Sequence, residues 1–162
     1  MREKLWNLLD KTRFEYNYYQ EYRQYLERCR IVVVVATSLV LFLVLGLSLL
    51  FEGHALLWNL LLLASGATAL VFEKLMIADK ITALKYCIPE LNAQLDGMHT
   101  EWLEVNELYD FSDEEIWAIF TQRMRALSHI SEKYLDNLHL PEHKKSVEKA
   151  SHVTKIWAER FS

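Results

Sequence analysis

The sequence predicts an all-α membrane protein, in which a two-helix transmembrane hairpin joins an N-terminal amphipathic helix to a C-terminal cytoplasmic helical bundle. Three observations support this fold class. Two uncharged stretches, residues 31–51 and 55–72, are separated by only three residues. A heptad pattern of apolar residues follows the second stretch. The chain shows no strand-like alternation, and its 162 residues include only two prolines and four glycines.

Charged residues are segregated along the chain. The first 30 residues carry seven Lys or Arg and five Asp or Glu, and residues 79–162 carry ten and fifteen. An apolar run of about 18 residues or more is long enough to cross the hydrocarbon core of a bilayer. The second run reaches full length if it extends to residue 78, with Glu73 and Lys74 at the headgroup level. We therefore predict a hairpin over residues 31–78, with spans 31–51 and 55–78 and a turn at 52–54.

The basic residues that flank the two spans predict their orientation. Positively charged loops are retained on the cytoplasmic side of a membrane. The turn at 52–54 carries no Lys or Arg, whereas both outer flanks do. We therefore expect both termini in the cytoplasm, with a cytoplasmic helix over residues 1–30 and a cytoplasmic helical region over 79–162. The flanking cations are Lys11, Arg13, Arg23, Arg28 and Arg30 before the first span and Lys80 and Lys85 after the second.

The strongest periodic signal follows the second span and predicts a long helix that ends at about residue 110. Its apolar residues recur with alternating spacings of four and three, which is the seam of a coiled coil over more than four heptads. The neighbouring positions lack the paired charges of a two-stranded coiled coil. We expect this coupling seam to pack against helices of its own or neighbouring subunits and to transmit changes to the membrane. The coupling seam consists of Ile77, Ile81, Leu84, Ile88, Leu91, Leu95, Met98, Trp102, Val105 and Tyr109.

Two further helices are predicted, over about 113–138 and 141–161. Ser112 and Glu115 have the spacing of a capping box, and Phe111 and Ile116 that of a hydrophobic staple. Pro141 suits the first turn of the last helix. Pro89, within the seam helix, falls on an outer face, where a proline kinks or restarts a helix.

Polar and small residues in the second span are the candidate functional residues. Because polar groups are costly in lipid, such residues face protein or water, and small residues let two helices approach closely. Two interpretations remain open: this face packs against other helices, or it lines a pore. The candidates are Asn59, Ser65, Gly66, Thr68 and Glu73, of which the first, third and last are spaced by seven residues.

The sequence offers little for catalysis. It contains no nucleotide-binding glycine loop, nucleophile elbow or HExxH motif. Cys29 and Cys87 have no second ligand at metal-binding spacing. Because these motifs and ligand spacings are lacking, we expect no enzyme activity, metal or cofactor. The net charge of −4 and the lack of a basic, aromatic-rich patch argue against nucleic-acid binding. An aromatic face on the first helix, from Tyr18 to Tyr25, fits either a packing and interface-anchoring surface or a ligand shelf.

In this order of elements, the chain resembles the SLATT family, the two-transmembrane effectors of bacterial conflict systems. The resemblance rests on an amphipathic helix that ends in Arg28-Cys29-Arg30, on the tight hairpin, and on the helix after it. That helix carries Ala83, Tyr86, Leu91 and Leu95. The family has no catalytic motif to transfer onto this chain.

The resemblance implies a pore-forming effector in the inner membrane of a bacterium, which damages an infected host. It implies membrane lipid and further copies of the chain as partners, and a nucleotide signal or a nucleotide-producing protein as the trigger. We expect the trigger to act through the cytoplasmic helices. The alternative is a non-conducting membrane anchor, a scaffold or a superinfection-exclusion protein that recruits a soluble partner.

Overall fold

The computed structural model describes residues 1–50, 55–72, 77–108, 110–136, 138 and 140–160. The described residues form helices, with no strand among them, as the sequence predicts. The predicted turn at 52–54, Glu73 and Tyr109 lie outside these residues. The helices are α1 (Arg2–Leu50), α2 (Ala55–Phe72), α3 (Asp79–Leu103), a π-helical turn (Glu104–Leu108), α4 (Asp113–Tyr134) and α5 (Lys144–Ala158).

The chain forms two compact units. The first unit comprises residues 1–23 and 82–162, and the second comprises residues 24–81. Helix α1 is continuous from Arg2 to Leu50, so the predicted amphipathic helix and the first apolar stretch belong to one helix.

The first unit is built around one face of α1. Leu5, Leu8 and Leu9 recur at helical spacing and are buried. Leu8 and Leu9 form a core cluster with Leu95 and Met98 of α3. A second cluster joins Leu5 to residues of the π-helical turn and α4. Residues 2–23 of α1 are therefore part of the helical bundle of the first unit.

The coupling seam is a buried face. Seven of its ten residues are buried, and Ile81 and Trp102 are half-buried. Ile77 and Ile81 belong to the second unit, and the others described belong to the first. The apolar pattern of α3 is thus satisfied within this chain, whereas its role in coupling stays a prediction. The seven buried residues are Ile77, Leu84, Ile88, Leu91, Leu95, Met98 and Val105.

Helix α3 continues through Pro89 and does not restart there. A proline inside a helix removes one hydrogen bond and leaves a carbonyl four residues earlier without its donor. Pro89 and Lys85, the residue that carries this carbonyl, are both exposed. Water can therefore satisfy the carbonyl, and the apolar face on the opposite side stays intact.

The start of α4 confirms the predicted capping box. The Ser112 backbone N–H donates to Glu115 Oε2 (2.8 Å), and the Glu115 N–H donates to Ser112 Oγ (3.3 Å). The Ser112 hydroxyl also donates to Glu115 Oε2 (2.8 Å). The hydrogen bonds that this carboxylate accepts, first from the Ser112 backbone N–H and then from the Ser112 hydroxyl, lower the pKa of Glu115. Phe111 packs against the cluster that contains Ile116, as a hydrophobic staple requires.

Helix α5 begins three residues later than the sequence predicts. Its N-cap is His143, whose Nδ1 accepts a hydrogen bond from the Ser146 N–H (3.3 Å). Pro141 therefore precedes the helix instead of occupying its first turn. The Pro141 carbonyl accepts a hydrogen bond from the Tyr18 hydroxyl (3.5 Å), which holds this segment against α1.

A buried hydrogen bond connects the N-terminal and C-terminal helices of the first unit. Asn17 Nδ2 donates to Thr154 Oγ1 (3.0 Å), and both side chains are buried. We expect Asn17→Ala to lower the free energy of unfolding by about 1–3 kcal/mol, because the Thr154 hydroxyl loses its partner in a dry site. Urea unfolding of the full chain in detergent, followed by circular dichroism, measures this effect.

Two control variants isolate the hydrogen bond. The double substitution Asn17→Leu/Thr154→Val removes both polar groups together and is expected to recover most of the lost stability. Ser151→Ala, at an exposed position of α5, is expected to leave the unfolding curve unchanged. A double variant no more stable than Asn17→Ala would show that packing and not the hydrogen bond accounts for the loss.

Candidate functional site

The second unit exposes an unusually apolar surface. One helix among the described residues is long and apolar enough to cross a membrane, and only 6 % of its most apolar segment is buried. That helix is α1. The apolar segment of α2, Leu57–Thr68, is shorter. Phe42 of α1 is 78 % exposed, and Leu63 of α2 is 71 % exposed. The other large exposed apolar residues include Ile31, Val32, Leu39, Leu43, Leu60, Leu70 and Val71.

Each apolar helix of the second unit has one partly covered face. Within residues 31–48 of α1 the half-buried residues are spaced by four, four, three and four, which is one side of a helix. On α2 they again recur at helical spacing. The remaining sides of both helices are mostly exposed. The half-buried residues are Val33, Thr37, Leu41, Val44 and Ser48 on α1 and Trp58, Leu62, Ser65 and Gly66 on α2.

The candidate residues of the predicted second span divide between these two environments. Ser65 and Gly66 lie on the half-buried face of α2, whereas Asn59 and Thr68 are exposed. A Cβ atom placed on Gly66 would meet no atom within 4 Å. Packing within this chain therefore does not require a glycine at this position, and a neighbouring molecule could approach closely there.

The hydroxyl groups of the apolar helices are satisfied locally. Ser65 Oγ donates to the Leu62 carbonyl (3.0 Å), and the Thr68 hydroxyl donates to the Ala64 carbonyl. Thr37 and Ser38 make the same kind of bond on α1. These hydroxyls need no partner from another helix. The amide of Asn59 is different, because it carries two N–H donors and an acceptor.

The first unit contains a partly open cavity of about 300 Å³. Its apolar side is formed by residues of α1, α3 and α4, among them Leu8, Leu91 and Ile130, which are buried. Its polar side is formed by residues of α1 and α4. The polar lining residues are Lys11, Thr12, Glu15, Tyr19, Ser128 and Ser131. Sequence reasoning missed this cavity, because its lining comes from three helices that are distant along the chain.

The ionisable groups of the cavity are affected by burial. Glu15 pairs with Lys11 Nζ at 3.7 Å, yet burial raises the pKa of its carboxyl above the usual value. Burial also raises the pKa of the Tyr19 phenol, and the nearby Glu15 charge adds to this effect. Tyr19 is therefore neutral at physiological pH. The cavity thus combines an incompletely compensated carboxylate with a neutral phenol.

Cys87 lines the same cavity but is shielded from solvent. Its side chain is 0 % exposed, and burial raises the pKa of the thiol to about 11. At pH 8 only about one thiol in a thousand would be ionised, and the thiolate is the reactive form. We expect the Cys29→Ser variant, which keeps Cys87, to react with iodoacetamide at least about tenfold more slowly than Cys87→Ser. Mass spectrometry of the full chain in detergent measures both rates.

The labelling experiment has an internal control in denaturant. In urea both variants are expected to react at similar rates, because unfolding removes the burial that protects Cys87. Rapid labelling of Cys87 in the native chain would mean that this part of the bundle opens readily.

The aromatic residues of α1 pack against other residues of the first unit. Trp6 stacks on Trp157 of α5, with ring centroids 5.6 Å apart, and lies 5.1 Å from Trp102 of α3. Phe14 and Tyr18 stack at 6.3 Å, and Tyr18 stacks on Tyr22 at 5.7 Å. On the face from Tyr18 to Tyr25, Tyr22 is buried and lies 6.3 Å from the His143 ring, whereas Tyr25 is 40 % exposed. The packing interpretation is therefore supported at Tyr22.

Comparisons with known proteins identify no family for this chain. No protein-family model, curated protein or solved structure matches it. Among the residues that the structure describes, no group of three His, Cys, Asp or Glu residues is arranged to hold a metal ion.

Proposed function

We propose that this chain is an oligomeric pore-forming or channel-forming membrane effector, gated through its cytoplasmic helices by a partner or a small ligand. The resemblance to the SLATT family suggests a role in bacterial antiphage defence. The observation that carries the proposal is the exposed apolar surface of α1 and α2 in the second unit.

The exposed apolar surface of the second unit favours a lipid environment on energetic grounds. Each large apolar side chain left in water costs about 1.5–3 kcal/mol relative to a buried one, and the second unit exposes many of them. Lipid removes this cost for all of them at once. The cations that flank the two apolar stretches then favour a hairpin in the bacterial inner membrane, with both termini on the cytoplasmic side.

Self-association is suggested by Asn59. Its side chain lies on an exposed part of α2, where lipid offers no hydrogen-bond partner. A second copy of the chain, or water in a pore, would satisfy the amide. An assembly with Asn59 near its axis meets both conditions, because neighbouring copies and pore water would meet there. Gly66, where a Cβ atom would meet no neighbour within this chain, would let the copies approach.

A second candidate function has one observation in its favour. The described hydroxyls of the apolar helices bond to carbonyls of their own helices, as the Ser65–Leu62 and Thr68–Ala64 pairs illustrate. Such helices do not need pore water at these positions. A non-conducting membrane anchor that recruits a soluble partner through the first unit is therefore the alternative.

Reconstitution of the full chain in liposomes tests the proposal. We expect a potassium-gradient dye assay to report flux, with both termini accessible to protease from the same side. Tags that report from opposite sides would contradict the hairpin. A correctly inserted chain that conducts no ions, but retains a soluble partner through residues 79–162, would support the anchor instead.

A further inference from the structure

We propose that the cavity of the first unit binds a small organic cation, in which a primary ammonium group is attached to a compact apolar body. The ammonium group would pair with Glu15, and the apolar body would lie against Leu91 and Ile130. This site requires only the cavity of the first unit and does not depend on whether the chain conducts ions.

The size and lining of the cavity suit such a ligand. A volume of about 300 Å³ lies at the lower end of the range for small-molecule sites, which are mostly apolar with a few polar groups that orient the ligand. Leu91 and Ile130 are buried and form part of the apolar wall. An aromatic ring with a short side chain would cover this wall and leave its polar end near α1.

The charge of Glu15 selects a cation. Its ion pair with Lys11 is long, at 3.7 Å, and the Lys11 side chain is 72 % exposed. An exposed pair of this kind contributes little, so the partly buried carboxylate is incompletely compensated. An ammonium group in the cavity would donate short, charge-assisted hydrogen bonds to Glu15. The neutral Tyr19 hydroxyl can accept a further hydrogen bond from it.

The hydroxyl groups of the cavity are neutral and are therefore weaker partners for the ammonium group than a carboxylate is. The Thr12 hydroxyl donates to the Leu8 carbonyl (2.7 Å), and the Ser128 hydroxyl donates to Glu132 (3.2 Å). Glu15 is the one carboxylate among the described residues that line the cavity.

An anionic ligand fits this cavity poorly. Among the described residues that line it, Lys11 is the only cation, and Glu15 lies one helical turn away on the same helix. A phosphate or carboxylate group would be repelled by Glu15 as much as it is attracted by Lys11. A nucleotide trigger, if one acts on this chain, would therefore bind elsewhere.

The test uses the full chain in detergent, with 2-phenylethylamine as the probe. Isothermal titration calorimetry and thermal unfolding measure binding, and 2-phenylethanol and 3-phenylpropionate serve as neutral and anionic analogues. We expect saturable binding of the amine, and at least about tenfold weaker binding of either analogue, because neither analogue carries the positive charge that pairs with Glu15.

Three substitutions on α1 separate this site from uptake of the amine by the detergent. Glu15→Gln is expected to weaken amine binding about tenfold or more, since it removes the charge but keeps the shape. Glu21→Gln is the matched control, because Glu21 pairs with Lys149 at 2.9 Å and does not line the cavity. Lys11→Met is expected to preserve or strengthen amine binding, because it removes a competing cation.

Several results would overturn the proposal. These are an equal response of the wild type and Glu15→Gln, tighter binding of 3-phenylpropionate that Lys11→Met abolishes, and the absence of saturable amine binding. Circular dichroism of each variant verifies that the bundle is folded.

Discussion

Asn59→Leu is expected to reduce ion flux through the reconstituted protein by about tenfold or more. An interhelical hydrogen bond in a membrane contributes about 1–2 kcal/mol, and about 1.4 kcal/mol corresponds to a factor of ten in an equilibrium. Because every copy in an assembly would lose the same interaction, the loss adds up across the subunits. Dye-based flux in liposomes and oligomer size in detergent measure the two consequences separately.

Gly66→Leu is the companion variant, and Gly46→Leu is its matched control. A Cβ atom at either glycine would meet nothing within 4 Å in this chain, so the first side-chain atom of each leucine has room within the protomer. If α2 mediates association, only Gly66→Leu obstructs it, because a large side chain prevents close helix approach. Unchanged flux in correctly assembled Asn59→Leu and Gly66→Leu proteins would remove this face of α2 from the pore.

Arg123→Ala is expected to destabilise the first unit by about 2–3 kcal/mol. Arg123 on α4 makes a two-point ion pair with Glu101 of α3, through Nε to Oε2 (2.8 Å) and Nη2 to Oε1 (2.6 Å). Its Nη1 also donates to Gln94 Oε1 (2.7 Å). The two charged side chains are only 19 % and 24 % exposed, so water replaces the lost partner poorly.

The stability measurement is urea unfolding of the full chain in detergent. Arg123→Lys is expected to retain less than half of the stabilisation that Arg123 provides, because a lysine cannot form the two parallel hydrogen bonds of the guanidinium group. An Arg123→Ala variant as stable as the wild type would show that the contact between α3 and α4 is maintained by apolar packing alone.

Gly97 provides a second test of the same contact. A Cβ atom at this position would lie 2.7 Å from Arg123 Nη2, so the guanidinium group would have to move. Because its hydrogen bonds would be distorted, we expect Gly97→Ala to destabilise the wild type by about 1 kcal/mol.

In the Arg123→Ala background, Gly97→Ala is expected to stabilise the protein instead of destabilising it. Alanine in a helix interior is more stable than glycine by about 0.5–1 kcal/mol, and this gain is no longer opposed in the Arg123→Ala background. A double-mutant cycle therefore measures the coupling between the two residues. Equal effects of Gly97→Ala in both backgrounds would contradict the contact.

Several features of the fold were predictable because they depend on residues close together in sequence. The all-helical class follows from apolar spacing, and the capping box follows from Ser112 and Glu115, which are three residues apart. The burial of the coupling seam follows from its four-three pattern. The later start of α5 was missed because His143, an uncommon cap, replaces the expected first-turn proline.

The amino-acid sequence by itself determined which segments are helical and which faces of α1 and α3 are apolar, because each depends on neighbours within about one helical turn. The expectation that lipid covers the second unit also comes from sequence and stays a prediction. Tertiary structure decided the Arg123–Glu101 pair, the Asn17–Thr154 hydrogen bond and the cavity beside Glu15. The partners are 22 positions apart in the ion pair and 137 positions apart in the hydrogen bond, and the residues that line the cavity span more than a hundred positions. Helical periodicity does not specify which faces of such distant helices pack together.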